Sequence, residues 1–170
     1  MSRACHGIVT WGWCLHFMGI GVIPEGVGRG EVPVDLVDLL GSERLIHDAL
    51  EAVQGESRPG LEVQYVVGGE RYVFQMILTL LVYAYARGVF ESSEIEARCL
   101  SDADFRYVAT PDCPPPQVLR MFRRRERNQV RSALARLFGN ISQRLGAVGA
   151  IDGVAEAARR LDAAIAADNL

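Results

Sequence analysis

A chain of 170 residues, 49% hydrophobic and 23% charged, can bury one proper core and is too apolar to be disordered throughout. Its net charge of −3 excludes a uniformly basic protein, but the charge is unevenly placed. Between Gln117 and Arg144 stand eight arginines against one acid, Glu126, so this segment carries +7 and leaves −10 for the rest. Such an asymmetry points to an anionic partner. All 18 basic residues are arginine, which reads as the coding habit of a GC-rich genome. Cys5, Cys14, Cys99 and Cys113 form no C-x-x-C pair. Four cysteines are too few for a disulfide scaffold in a chain this long, so reduced thiols in a cytoplasm are expected.

Residues 1–32 read as an extension and linker. Gly7 to Ile23 is apolar over 17 residues but holds His16 and four glycines, which is short and helix-poor for a membrane span. Only Arg3 stands ahead of it and no A-x-A site follows, so it is also a poor signal peptide. "GVGRG" then reads as a linker. Cys5, His6, Cys14 and His16 are zinc-ligand types, but their spacing fits no compact finger, and no metal is expected.

A helical domain is predicted over 33–140. From Pro33 to Val53, Leu36, Leu39, Leu40, Leu45, Ile46, Leu50 and Val53 recur at three- and four-residue steps. That is an amphipathic helix, broken at Gly41-Ser42 with Ser42 recapping it. "GESRPG" breaks the chain. "LEVQYVVGGERYVF" alternates like a strand pair around Gly68-Gly69, and a short hairpin and an irregular loop both fit it. Met76 to Ala86 forms an apolar run of 11 residues, whereas a bilayer takes about 20, and Gly88 supplies a stop. A short helix apolar all round belongs at the centre of a bundle. Ser93-Glu94-Ile95-Glu96 has capping-box spacing. Ser101 with Asp104 is a weaker version, opening a helix through Phe105 and Val108. "TPDCPPP" is a rigid connector, with Pro116 suited to the first turn of the next helix.

That next segment, about Pro116 to Phe138, is predicted as one long basic helix. Leu119, Phe122, Val130, Ala133 and Leu137 share one face. Arg120, Arg124, Arg127 and Arg131 step by four, three and four, a stripe roughly a third of a turn away. Like charges at such spacings cost about 0.2–0.5 kcal/mol per pair, which contact with phosphate offsets. The expected DNA contacts are Gln117, Arg120, Arg123, Arg124, Arg127 and Arg131. Residues 141–170 read as a linker, "LGAVGAIDG", and an Ala-rich helix. Its narrow seam of Val154, Ala157, Ala158, Leu161, Ala164 and Ile165 suits docking against another helix or a second copy of the chain.

The order "GGERY…MILTLLVYAYARGVFESSEIEARCLSDADFRYVAT…P…LRMFRRRER" resembles the N-terminal domain of bacterial insertion-sequence transposases with an RNase-H-like catalytic core. The matching residues run from Gly68, Gly69 and Tyr72 through Tyr83, Ala84, Tyr85, Gly88, Val89, Ile95, Glu96, Asp102, Phe105, Arg106, Tyr107 and Pro114 to Phe122, Arg123 and Arg124. They cover roughly residues 34–140. The chain departs from the family at Val73-Phe74, where a Pro is usual, at Glu91-Ser92-Ser93, and at Pro115-Pro116 in place of Asp-His. It also ends where the family's core is expected to begin. "AIDG" places Asp152 either as that core's first catalytic aspartate or as the N-cap of the last helix; paired metal ions need further acidic ligands, and none follow.

The expectation is therefore an all-α, helix-turn-helix-like small bundle with a long basic helix and a C-terminal Ala-rich helix. The resemblance implies a DNA-binding domain that recognises element-end DNA without catalysing strand transfer, with no catalytic residues and no cofactor. Double-stranded DNA is the expected partner, in the cytoplasm and away from any membrane. A homodimer or an association with a full-length transposase is the further partner expectation. A protein-interaction module using the Ala-rich helix is the other class the sequence fits.

Overall fold

The computed structural model describes residues 34–54, 56, 64–67, 69–110, 112–146 and 151–169. The extension, the "GVGRG" linker and the Cys/His set of residues 5–16 lie outside them, as does the middle of "LGAVGAIDG". Among the described residues the chain is an all-α bundle of eight helices with one two-stranded hairpin.

α1 (Val37–Leu40) and α2 (Ser42–Gln54) are separated at Gly41, whose φ of 80° ends the first helix. The Gly41 carbonyl accepts from Leu45 N at 3.1 Å, so Gly41 holds the capping position and Ser42 is already helical. Leu36, Leu45, Ile46 and Val53 are buried as the periodicity requires, while Leu50 is exposed. β1 (Gln64–Val67) and β2 (Glu70–Val73) form the hairpin, pairing Val67 with Glu70 and Gln64 with Val73. Gly69, at φ 92°, takes the left-handed conformation such a turn demands.

β2 runs directly into α3 (Phe74–Ala86), in which every residue from Ile77 to Ala86 is buried. α2, α5, α6, α7 and α8 all pack on it, so the greasy stretch is the axis of the bundle. Gly88, at φ 73°, ends it, and a Cβ there would stand 2.5 Å from Val34 Cγ1 and 2.9 Å from the Val34 carbonyl oxygen. Both the conformation and the close approach call for glycine. The last carbonyls of α3 are met by a buried cation: Arg160 Nη1 donates to the carbonyls of Tyr85 at 2.6 Å and Ala86 at 3.1 Å.

α4 (Ser92–Ser101) starts one residue earlier than the Ser93 box predicts. Glu91 is its N-cap residue, and the Ser93 hydroxyl donates to the Glu91 carboxylate instead of capping. The free amide of Ser92 is satisfied from a distance, by Asp168 Oδ1 at 2.9 Å. α5 (Ala103–Val108) is likewise capped by Asp102, not Ser101. The Asp102 carboxylate accepts from Asp104 N at 2.9 Å and Phe105 N at 3.4 Å, the usual role of an aspartate at this position.

The predicted long basic helix is two helices. α6 (Pro116–Arg125), with Pro116 in its first turn, ends at Glu126, where φ −110° and ψ 32° leave the helical region, and α7 (Arg127–Leu145) begins afresh. The reason lies in their partners. α6 buries Val118, Leu119 and Phe122 against α3 and α4, with the Phe122 ring 5.1 Å from that of Phe74. α7 buries Val130, Ala133, Leu134, Leu137, Phe138 and Ile141 against α2, α3 and α8. α8 (Gly153–Ala167) lies along α7, and the seam of Ala157, Leu161 and Ala164 is buried there. The helix that covers this seam is thus α7 of the same chain. Asp152 caps α8, accepting from Val154 N at 3.1 Å and Ala155 N at 3.0 Å.

Candidate nucleic-acid interface

The arginines of the +7 segment divide by what they touch. Arg123 points into the bundle, 3% exposed, and donates to the Tyr85 hydroxyl at 2.9 Å and to the Asp168 carboxylate. Asp168 also accepts from the Ser92 hydroxyl at 2.6 Å, so four elements meet in one buried polar network. Burial alone would lower the proton affinity of Arg123, but Tyr85 and Asp168 outweigh it and raise the guanidinium above its ordinary range. Burial would raise Asp168, yet the Ser92 hydrogen bonds and the Arg123 charge hold it below the usual carboxylate range. Burial pushes the Tyr85 phenol up to about 12. Arg123 was expected to meet DNA; it is a structural residue instead.

Three more arginines of the segment face acids. Arg127 Nη2 lies 3.0 Å from Asp162 Oδ1 on α8, with both side chains exposed. Arg136 donates to the Ala52 carbonyl at 2.7 Å and to Glu56 at 2.8 Å. Arg144 Nη2 stands 2.6 Å from Asp48 Oδ2, without hydrogen-bond alignment. His47, Asp48 and Glu51 bring ligand-type atoms within 4.8 Å of one another, but Arg144 already meets the Asp48 charge.

What remains is a compact outer face. Gln117, Arg120 and Arg124 fall at i, i+3 and i+7 on α6, and with Met121 and Arg125 they line a shallow depression of about 510 Å³. Arg120 and Arg124 have no ion-pair partner among the described residues, and neither has Arg131, exposed on α7. The predicted four-arginine stripe is therefore interrupted. Arg120 and Arg124 share a helix, Arg127 and Arg131 belong to the next, and Glu126 breaks the phase between them. A face of this make-up can hold an anion: guanidinium groups bind phosphate bidentately, and no neighbouring carboxylate competes.

No helix among the described residues is long and apolar enough to cross a membrane. No protein-family model, curated protein or solved structure matches this chain.

Proposed function

We propose that this chain is a transposase-like DNA-binding module that grips duplex DNA through the outer face of α6. The observation that carries this reading is the exposed set of Gln117, Arg120 and Arg124, with Arg131 beyond, in a segment whose other arginines are largely engaged in holding the fold. The order of motifs shared with insertion-sequence transposases supports DNA as the anion and element ends as the target. Arg120, Arg124 and Arg131 act on phosphate, which positions a protein without reading sequence. Base contacts, on this reading, come from the first turns of α6, through Gln117 and Arg120.

The module binds and does not cut. The Asp152 carboxylate, which sits where the related enzymes have a catalytic aspartate, spends its oxygen on the first amides of α8. Such a module acts in the cytoplasm, marking element ends or competing for them with a complete transposase. Fluorescence anisotropy with a labelled duplex over a range of salt tests the proposal: saturable binding whose affinity falls steeply with salt and depends on Arg120 and Arg124 is expected, and salt-insensitive or absent binding refutes it.

A further inference from the structure

Cys99 lies in the last turns of α4, 3% exposed, and Cys113 lies in the connector three residues ahead of α6, half-buried against the same core. They are 14 positions apart in sequence, but the fold brings the two thiols into direct contact, where they hydrogen-bond one another. The Cys113 sulfur also lies 3.7 Å from the Pro114 carbonyl oxygen, which accepts its proton when it carries one. The titratable groups facing the pair are Glu96, on α4 beside Cys99, and Tyr72 and Asp112 on the Cys113 side. One thiol is thus open to solvent and the other is shut away directly behind it.

We infer that Cys99 and Cys113 form a dithiol modification site, which a low-molecular-mass disulfide converts into an intramolecular disulfide, with Cys113 as the entry thiol and Cys99 as the resolving thiol. The electrostatics agree with the geometry. The hydrogen bond from Cys99 holds Cys113 below the ordinary thiol range, while the same contact and burial push Cys99 up. The thiolate is the nucleophile, so Cys113 reacts first.

The step balances as ordinary thiol–disulfide exchange. The Cys113 thiolate attacks one sulfur of oxidised glutathione; the Cys113–glutathione bond forms as the glutathione S–S bond breaks, and one glutathione thiolate leaves. Cys99 gives its proton to buffer base and attacks the Cys113 sulfur, releasing the second glutathione. Two protein thiols are oxidised and one small disulfide is reduced to two thiols. The product ties the end of α4 to the connector entering α6. This chemistry does not depend on what α6 binds.

The test uses the full chain carrying Cys5→Ser and Cys14→Ser, reduced and then exposed to oxidised glutathione near neutral pH, followed by intact mass and peptide mapping. The expected product has lost two hydrogens, retains no free thiol and yields a Cys99–Cys113 linked peptide. In the same background Cys99→Ser stops at one glutathione on Cys113, and Cys113→Ser reacts at least tenfold more slowly. The unsubstituted chain, treated alike, gives the same linked peptide. A lasting glutathione adduct on Cys113 with Cys99 still free overturns the inference. So do thiols that react only once the protein is unfolded in urea, or bridges in the unsubstituted chain that join Cys113 to Cys5 or Cys14.

Discussion

Two adjacent arginines, alike in sequence, should give opposite results when each is changed to glutamine. The Arg123 and Asp168 side chains are only 4% and 3% exposed. Arg123→Gln leaves the Asp168 carboxylate buried without its cation and removes a donor from the Tyr85 hydroxyl. Removing one member of a buried pair typically costs about 3–5 kcal/mol. For a chain of this size each kcal/mol moves the thermal midpoint by about 2–4 °C, so a fall of about 6–20 °C is expected. Arg124 is exposed with no ion-pair partner among the described residues, and Arg124→Gln should stay within about 0.5 kcal/mol of the parent. Its effect belongs to DNA, where losing one phosphate contact should flatten the plot of log affinity against log salt by about 0.9. Circular-dichroism melts and anisotropy titrations on both variants decide the matter. Equal midpoints for Arg123→Gln and the parent would refute the buried network, and an unchanged salt slope for Arg124→Gln would take Arg124 out of the interface.

If Arg120, Arg124 and Arg131 each neutralise one phosphate, the parent slope should be near −2.7, at about −0.9 per contact. Arg120→Gln with Arg131→Gln should flatten it by about 1.8, whereas Arg136→Gln with Arg144→Gln, which lose contacts to Glu56 and Asp48, should not; equal flattening would mean that overall charge attracts the DNA. The Tyr85 phenol is favoured neutral in the fold, so its contribution is fully present below pH 10 and is lost as pH rises from 10.0 towards 12. Alkaline unfolding followed by tyrosinate absorbance should steepen there by up to about 1.4 kcal/mol per pH unit, and Tyr85→Phe should remove that steepening. Asp152→Ala should cost about 1 kcal/mol as a lost cap and leave DNA affinity alone. Nicking of supercoiled DNA with magnesium that vanishes in this variant would instead make Asp152 catalytic.

Much of the bundle was legible because its signals are local. The apolar run ending at Gly88 had to be a central helix, the alternation around Gly68-Gly69 had a hairpin among its two readings, and Asp152 stood where a cap is wanted. The misplaced caps were off by one residue because Ser and Asp candidates adjoin: Asp102 beside Ser101, Ser92 beside Ser93. The break at Glu126 was hidden. Phe122 and Val130 lie eight residues apart, about 80° out of phase after two turns, a drift a continuous helix tolerates. Only the competing pull of α4 on α6 and of α2 and α8 on α7 resolves it. Arg123 did leave a trace, since it falls at i+4 from Leu119 and i+5 from Val118, on the flank of the buried face. The partner that holds it there, Asp168, is 45 positions away, and no local pattern announces such a pairing.

The interruption at Glu126 changes what the basic segment can do on DNA. One helix over the predicted 116–138 would have been about 35 Å long at 1.5 Å per residue, long enough to lay four guanidinium groups along a groove in a single line. α6 has 10 residues, about 15 Å, which spans roughly four to five base pairs at about 3.4 Å each. A helix that short contacts one groove segment end-on or slantwise, so Gln117 and Arg120 near its start reach base edges while Arg124, a turn further on, reaches the backbone. Arg131 then belongs to a neighbouring phosphate approached from α7. The angle between α6 and α7 is fixed by cores on both sides of Glu126, with Phe122 held by Phe74 and Val130 buried in α7. Spacing between these contacts is therefore set by the fold and not by side-chain reach. Arg123 and Asp168 reinforce it, because they tie α6 through Tyr85 and Ser92 to α3 and α4. On this reading the buried arginine aims its exposed neighbours.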